Sequence, residues 1–409
     1  MPTEIRRVRE DELTEYVDAM SVAFLGRPDV ARFVETVRPL WDLERTWAAF
    51  DGGRMRGTLR TWSTELTVPG GGRLPAAAMT NVTVLATHRR QGIMRAMLKS
   101  EHEASRDRGD AVGLLHSAEY PIYGRFGYGP GCREASVALE TADTGFHGEP
   151  SSGVDFAKPD ERTRDEMKAV FEAVRLRQAG EIRRRDVRWD FDLGLRDDAW
   201  DPPWKGFVII HRDRSGAADG YARYRAEERW EDGQPRNVLN VDELHALSDA
   251  AYASLWRFLA EMDWVARVKA ERRRVDERLP WLLTNGRAAR VSDIGDSIWV
   301  RIHDVRRALE ARTYERDGNV VVEVVDAELR SGKVRLRVDV DGGRASCRPT
   351  TRSADLTIDV AALGAAYLGG VPLSLAVIAA GCDEHREGSL AALDRILRTM
   401  DEPWCSTFF

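Results

Sequence analysis

Cysteine is scarce in this chain: Cys132, Cys347, Cys382 and Cys405 are the only four in 409 residues. No two form a C-x-x-C pair and no histidine cluster stands near them, so neither a structural zinc site nor a disulfide framework is expected, and no metal is assigned. Lysine is scarcer relative to its class, with six among 61 basic residues and 55 arginines making up the rest. An isolated Arg-Arg pair therefore carries little information. Positive excess is absent too. The net charge of −6 argues against a dedicated nucleic-acid partner and leaves cationic or neutral partners open.

Long uninterrupted apolar runs are also missing. Val360–Cys382 carries no charge, but Gly364, Gly369, Gly370 and Pro372 break it into two short pieces, which predicts two buried elements joined by a turn and no membrane span. The opening MPTEIRRVREDELTEY is too charged for a signal peptide, and the ending CSTFF does not match a prenylation box. A cytoplasmic location without a membrane partner is expected. No G-x-G-x-x-G lies between a strand and a helix, which excludes a Rossmann dinucleotide loop.

What is present is enough chain for several domains, 43% hydrophobic and 31% charged, an ordinary folded composition. The first part alternates helix and strand. Leu13, Tyr16, Val17, Met20 and Phe24 recur at helical spacing, and a strand pair turns at Gly52-Gly53. AAMTNVTVL reads as a strand, HRRQGIMRAMLKSEHEASRDRG as a helix with Ile93, Met94, Met97 and Leu98 on one stripe, and AVGLLHS as a buried strand. A second part replays this order, with DEMKAVFEAVRLRQAGEIRRR read as helical throughout, a hairpin, VLNVDELHALS as a strand, a helix, and WVARVKAERR as a strand. A duplicated fold follows from the replay. Short strands flanked by helices then form an α+β third part. The divisions expected are 1–145, 146–290 and 291–409.

The chemistry-bearing segment is Val82-Thr83-Val84-Leu85-Ala86-Thr87-His88-Arg89-Arg90-Gln91-Gly92-Ile93-Met94. A strand, a short turn and a helix start present unpaired N–H groups and a positive dipole end, which suits a pyrophosphate. Gly92 permits close approach of the phosphate, and Arg89 or Arg90 can add charge-assisted hydrogen bonds. A structural turn with two solvated arginines is the alternative. At the equivalent place the second part has Leu247-Ser248-Asp249-Ala250-Ala251-Tyr252, without that chemistry.

This segment resembles motif A of the GNAT acetyltransferases, with Arg89 and Gly92 matching and Met94 replacing the usual small residue. Together with Tyr120-Pro121-Ile122-Tyr123-Gly124-Arg125-Phe126-Gly127-Tyr128-Gly129-Pro130, the three-part layout and terminal Phe409, it resembles the Eis family of N-acetyltransferases along the whole chain. The resemblance implies a mixed α/β fold of tandem GNAT units followed by a sterol carrier protein-like domain. It implies acetyl-CoA as co-substrate, cationic small-molecule amines such as aminoglycosides as acceptors, direct transfer in a ternary complex, and a homo-oligomer, with a hexamer as the family's form.

The same resemblance implies site roles. The backbone of Val82, Thr83 and Val84 would meet the pantetheine arm, and Arg89, Arg90, Gln91, Gly92, Ile93, Met94 and Arg95 would cradle phosphates. Ala118 and Glu119 would add a cofactor contact. Tyr123 would be the general acid and the Phe409 carboxylate the general base. Read from residues alone, Tyr123 is equally a packed aromatic among Tyr120, Phe126 and Tyr128, and Phe409 a frayed terminus. Phe24 and Phe33 are candidate acceptor-pocket aromatics, with core packing as the alternative. A non-catalytic ligand-binding or interaction protein, or an acetyltransferase for protein lysines or polyamines, stands as the competing function.

Overall fold

A computed structural model describes residues 3–148, 153–197, 200, 202–328 and 331–409. The chain opens with β1 (Glu4–Arg7), α1 (Leu13–Ala23), α2 (Val30–Val37), β2 (Thr46–Asp51), β3 (Arg54–Thr67), β4 (Arg73–Val84), α3 (Ile93–Arg108), β5 (Val112–His116) and β6 (Gly129–Pro130). The second stretch comprises β7 (Arg133–Glu140), β8 (Val154–Ala157), α4 (Glu161–Arg175), α5 (Asp186–Asp192), β9 (Phe207–Arg212), β10 (Ala218–Glu227), β11 (Trp230–Glu231), β12 (Gln234–Pro235), β13 (Asn237–Ala246), α6 (Asp249–Ala260), β14 (Val265–Arg273), α7 (Leu279–Leu282) and β15 (Ala289–Asp296). The last holds β16 (Ile298–Ile302), α8 (Val305–Ala311), β17 (Gly318–Val325), β18 (Lys333–Asp341), β19 (Arg344–Pro349), β20 (Leu356–Asp359), α9 (Val360–Ala366), α10 (Leu373–Ala380), β21 (Cys382–Glu384) and α11 (Ser389–Leu397).

Two seven-stranded sheets run β1-β2-β3-β4-β5-β16-β6 and β15-β7-β14-β13-β10-β9-β8, and a five-stranded sheet runs β19-β18-β17-β20-β21. The parallel pairs are β4 with β5, β13 with β14, and β17 with β20; the other pairings are antiparallel. The first two sheets thus repeat one plan, as the replayed element order predicts.

The expected divisions do not follow the sheets. The 290/291 cut falls inside β15, β7 belongs to the second sheet, and β16 completes the first. β5 finds its outer partner in β16, with Leu114 opposite Val300, across a gap in sequence that no local pattern signals. The expected helix over DEMKAVFEAVRLRQAGEIRRR is also too long. α4 stops at Arg175, a run of turns carries the chain to Gly180, and the residues after it run extended beside β3: Gly180 N–H donates to Thr67 O at 2.9 Å and Arg183 N–H to Glu65 O at 3.0 Å.

The Val360–Cys382 segment does split in two at Gly369-Gly370-Val371-Pro372, giving α9 and α10. Among the described residues no helix is long and apolar enough to cross a membrane. α9 lies against β6 and β16 at a spacing only glycine allows, since a Cβ at Gly364 would collide with the Val300 carbonyl and one at Gly129 with the Ala361 carbonyl. One apolar core therefore continues from Trp62, Ala76 and Leu114 of the first sheet through Val300 to Val322 and Leu393 of the third region. The C-terminal region is welded to the first sheet by shared packing.

Candidate active site

The site begins where two neighbouring strands part. β4 and β5 pair in parallel from Ala76/Val112 to Met79/Leu115 and no further, although β4 continues to Val84. One extra residue in β4 opposite β3 makes a bulge, Thr58 pairing Thr83 while Arg60 pairs Thr80, and Asn81 takes a left-handed φ of 56° to accommodate it. Bulges bend a strand and re-aim its groups, here in the half of β4 released from β5. Thr58 Oγ1 donates to the Asn81 carbonyl at 2.8 Å and lies 2.7 Å from Thr83 Oγ1. The Thr83 side chain is thus committed to β3.

The strand leads directly to the helix start. Arg90 and Gly92 both adopt positive φ, 65° and 81°, and Gly92 is the N-cap of α3. It supplies no side-chain cap, and the first turn holds no acidic residue. Ala96 N–H is the first to reach back, donating to Gly92 O at 3.1 Å, so the N–H groups of Ile93, Met94 and Arg95 remain available. Arg89, Arg90, Gln91, Gly92 and Arg95 are exposed, and among the described residues none of the three arginines joins an ion pair; Arg95 rests 5.5 Å from the Phe126 ring centroid. An uncapped helix start ringed by unpaired guanidiniums fits a pyrophosphate. The fit is in the donors themselves, which among the described residues have no hydrogen-bond or ion-pair partner.

On the other wall, Ala118 and Glu119 are exposed in the loop after β5, and a short turn at Tyr123–Phe126 follows. Tyr123 is buried in one apolar cluster with Met79, Ile93, Met97 and Leu115, against which Val82, Val84, Met94 and Ile122 pack. Its ring lies 6.1 Å from that of Tyr128 in edge contact. Burial, with Glu119 adding its charge, pushes the Tyr123 phenol up to about 12. A two-unit rise favours the protonated form by about 3 kcal/mol, so the residue is a proton or hydrogen-bond donor at neutral pH.

The C-terminus is docked. Buried Glu181 accepts from Ser406 N–H at 2.7 Å, Ser406 Oγ at 2.6 Å and Thr407 Oγ1 at 2.7 Å, and Arg184 Nε donates to Thr407 Oγ1 at 2.9 Å. Beyond this clamp, the Phe409 ring stands edge-on to Trp62 at 5.6 Å and to His116 at 4.8 Å, with Phe408 also 4.8 Å from His116. His116 is the last residue of β5, where the split opens. Its Nε2–H donates to the Thr407 carbonyl at 3.1 Å. Desolvation pulls the imidazole down to about 4, so it is neutral.

A cavity of about 180 Å³ lies at the tail, walled by Arg60, Trp62 and Thr80 of β3 and β4, by Arg185, and by Phe408 and Phe409. Thr80 is the first β4 residue past the last pairing with β5. Neither expected pocket aromatic lines it. Phe33 is buried against Trp41 and Trp200 because α2 has only this face with which to pack on α1, and Phe24 projects half-exposed from the α1 end. The structure thus gathers Val82–Val84, Arg89–Arg95 and Tyr123 at the split, and Phe409 beside His116 at its mouth, while Phe24 and Phe33 stay apart. His116, Glu181, Arg184, Arg60 and Arg185 were not singled out in the sequence. A polar residue ending the apolar strand VGLLH was a usable signal for His116; the four others have none.

Residues 4–131 and 180–302 each match an acetyltransferase (GNAT) domain, and residues 305–406 match a sterol carrier protein domain. The chain is 37% identical to an uncharacterized N-acetyltransferase of Streptomyces avermitilis, over 99% of this chain and 98% of that one. It is 34% identical to the N-acetyltransferase Eis of Mycobacterium tuberculosis, over 86% of this chain and 81% of that one. The crystal structure of Eis1 from Mycobacterium abscessus superposes with a TM-score of 0.85 at 30% identity, covering 99% of this chain and 100% of the other. With its split first sheet, uncapped helix start and docked tail, and with identity sustained over most of its length, the chain belongs to the Eis family of GNAT N-acetyltransferases.

Proposed function

We propose that this enzyme transfers an acetyl group from acetyl-CoA directly to the amine of a small molecule, both bound at once. The observation carrying this reading is the released half of β4 running into the uncapped start of α3, with the docked C-terminus at the same split. Acetyl-CoA supplies the activated acyl carbon when bound. Main-chain groups of Val82, Thr83 and Val84 pair with its pantetheine arm, the Gly92–Arg95 amides with Arg89, Arg90 and Gln91 take its phosphates, and Ala118 and Glu119 flank it across the split.

A protonated amine has a reference pKa of about 10 and must lose its proton before it attacks. The Phe409 carboxylate accepts that proton, directly or through water, and the amine nitrogen bonds to the acyl carbon. As the carbon–sulfur bond breaks, Tyr123 donates to the departing sulfur, and the second proton of the attacking nitrogen returns through water to the tyrosinate, leaving the amide and the CoA thiol. Burial holds the proton on Tyr123 until then. No enzyme-bound acyl group is formed: Cys132 is fully buried with its thiol pushed well up, the opposite of an activated nucleophile. Polycationic amines such as aminoglycosides are the acceptors the family resemblance brings. Among the described residues, however, the cavity at the tail presents no acidic side chain to them.

Thiol release from acetyl-CoA, with mass spectrometry of the acceptor, tests the reading across tobramycin, kanamycin, spermidine and simple primary amines. Release with an N-acetylated product is expected for at least one arm. Acetyl-CoA binding with no release in any arm would favour the binding-protein alternative.

A further inference from the structure

The cavity at the C-terminal tail carries more positive charge than the protein neutralises. Four arginines wall it, and they fall into two pairs. Arg184 and Arg188 are matched: Arg184 with Glu243 at 2.5 Å, Arg188 with Asp192 at 2.9 Å. Arg60 and Arg185 are not. Among the described residues neither joins an ion pair. Arg60 is 6% exposed, stacks its guanidinium 4.6 Å from the Trp41 ring centroid, and has a buried Nε without any hydrogen-bond partner. Arg185 lies 5.3 Å from the Trp62 ring centroid and donates only to the Leu40 carbonyl at 3.3 Å. Desolvation, and next the repulsion from Arg185, draw Arg60 down to about 10, so it remains charged at neutral pH. A desolvated, incompletely bonded guanidinium is costly unless an anion completes it. The Phe409 carboxylate supplies one negative charge against these two positive ones. At least one positive charge is left over.

Resting on the acetyltransferase reading above, we infer that the acceptor is a small amine that itself bears an anionic group, a carboxylate or phosphate seated on Arg60 and Arg185, with its amine end toward Phe409 and its apolar body against Trp62 and Phe408. The cavity volume of about 180 Å³ suits a compact acceptor. Planar guanidinium forks suit an oxyanion with two oxygens to offer. The same charges oppose a polycation.

A matched set of acceptors isolates the charge: 4-(aminomethyl)benzoate, benzylamine, and 1,4-bis(aminomethyl)benzene. We expect kcat/KM for the benzoate to exceed that for the diamine by about tenfold or more. In Arg185→Gln, and separately in Arg60→Gln, this ratio falls toward one. The half-buried Arg185 is the safer of the two for folding, and calorimetric binding of acetyl-CoA checks each variant. A ratio favouring the diamine, or one that neither substitution moves, overturns the proposal. If acetyl-CoA binds but no arm releases thiol, the transferase reading itself fails, and the anion site is then read by titrating benzoate into the acetyl-CoA-loaded protein. Benzoate binding that Arg185→Gln abolishes sustains the site. Absence of binding, or binding only after Phe409 is deleted, assigns these charges to the terminus and overturns the proposal.

Discussion

The first two sheets follow one plan and differ at the place where a cofactor would sit. In both, a parallel pair separates before its longer strand ends: β4 leaves β5 after Met79, and β13 leaves β14 after Val241. In the first unit the released strand leads to Gly92, with no side-chain cap and no acid in the first turn. In the second it leads to Ser248, whose side chain accepts from Ala251 N–H at 3.1 Å, followed by Asp249. The released half of β13 is also occupied. Arg273 Nη1 donates to the Leu244 carbonyl at 3.0 Å, and Trp404 packs between Arg273, at 5.3 Å, and His245, at 5.5 Å. We propose that the second GNAT unit is a scaffold because its orphan donors and its split are satisfied from within, and that the first holds the cofactor site because its own are left open.

The sharpest way to break this contrast is at the proton donor. Tyr123→Phe keeps the ring in its apolar cluster and removes the hydroxyl, so turnover should fall by about 100-fold or more, the usual weight of a general acid. Acetyl-CoA affinity by calorimetry should stay within about twofold, since the cluster around Ile93 and Met97 is kept. A loss of affinity as large as the loss of turnover would return Tyr123 to packing alone.

Next in size is the tail. Deleting Phe409 moves the carboxylate back by one residue, about 3.5 Å of extended chain, and strips the rings of Trp62 and His116 of their contact. Turnover should drop about tenfold to 100-fold, with a smaller change in acetyl-CoA affinity. Unchanged turnover would remove Phe409 from the chemistry. The second unit offers the control: Trp404→Phe loosens the plug there and should leave turnover near wild type.

A third test exchanges the helix starts. Gly92→Asp places a negative charge where the first unit leaves donors open, and a residue with a Cβ at a φ of 81°. Acetyl-CoA should bind about tenfold more weakly, read by calorimetry. The reverse exchange, Ser248→Gly with Asp249→Ala, should not raise the stoichiometry above one per chain, because Arg273 and Trp404 still fill the split. Two equivalent sites in the wild-type protein would erase the distinction between the units.

How much of this was legible follows from how local each signal is. The turn from Val84 to Gly92 is contiguous, and its departure from ordinary helix capping is visible in the residues; so is the break at Gly369-Gly370. Strand exchange is not. β16 joins β5 across more than 180 residues, and nothing in ILE-TRP-VAL-ARG-ILE names its partner. Helical periodicity misled where tertiary pairing took over, past the turns after Arg175, since β3 offers the chain from Gly180 to Arg183 main-chain partners that a helix would forgo. The charged cavity was hidden by abundance. Arg60 and Arg185 look like any other of 55 arginines until their lack of partners is seen in space.

The smallest expected effect sharpens the comparison at its edge, where the tail meets a histidine in each unit. His245 lies 3.0 Å from a Glu243 carboxylate oxygen, whereas His116 meets the Thr407 carbonyl and the rings of Phe408 and Phe409. Protonating His116 forces a cation into that enclosure, with Arg272 nearby adding repulsion, and its folded pKa is drawn down to about 4 from 6.5. The unfolded chain then binds the proton first as pH falls. Stability attributable to His116 is whole above about 6.5 and is lost progressively down to about 4, by at most about 3 kcal/mol. Buried His102 and His303, also drawn down, add to the same slope. Denaturant unfolding of wild type and His116→Asn should therefore show a shallower fall for the variant between pH 6.5 and 4, with the Thr407 contact offset by the amide. Superimposable slopes would mean that the tail opens freely at the first unit, and that its firm anchor is Trp404 in the second.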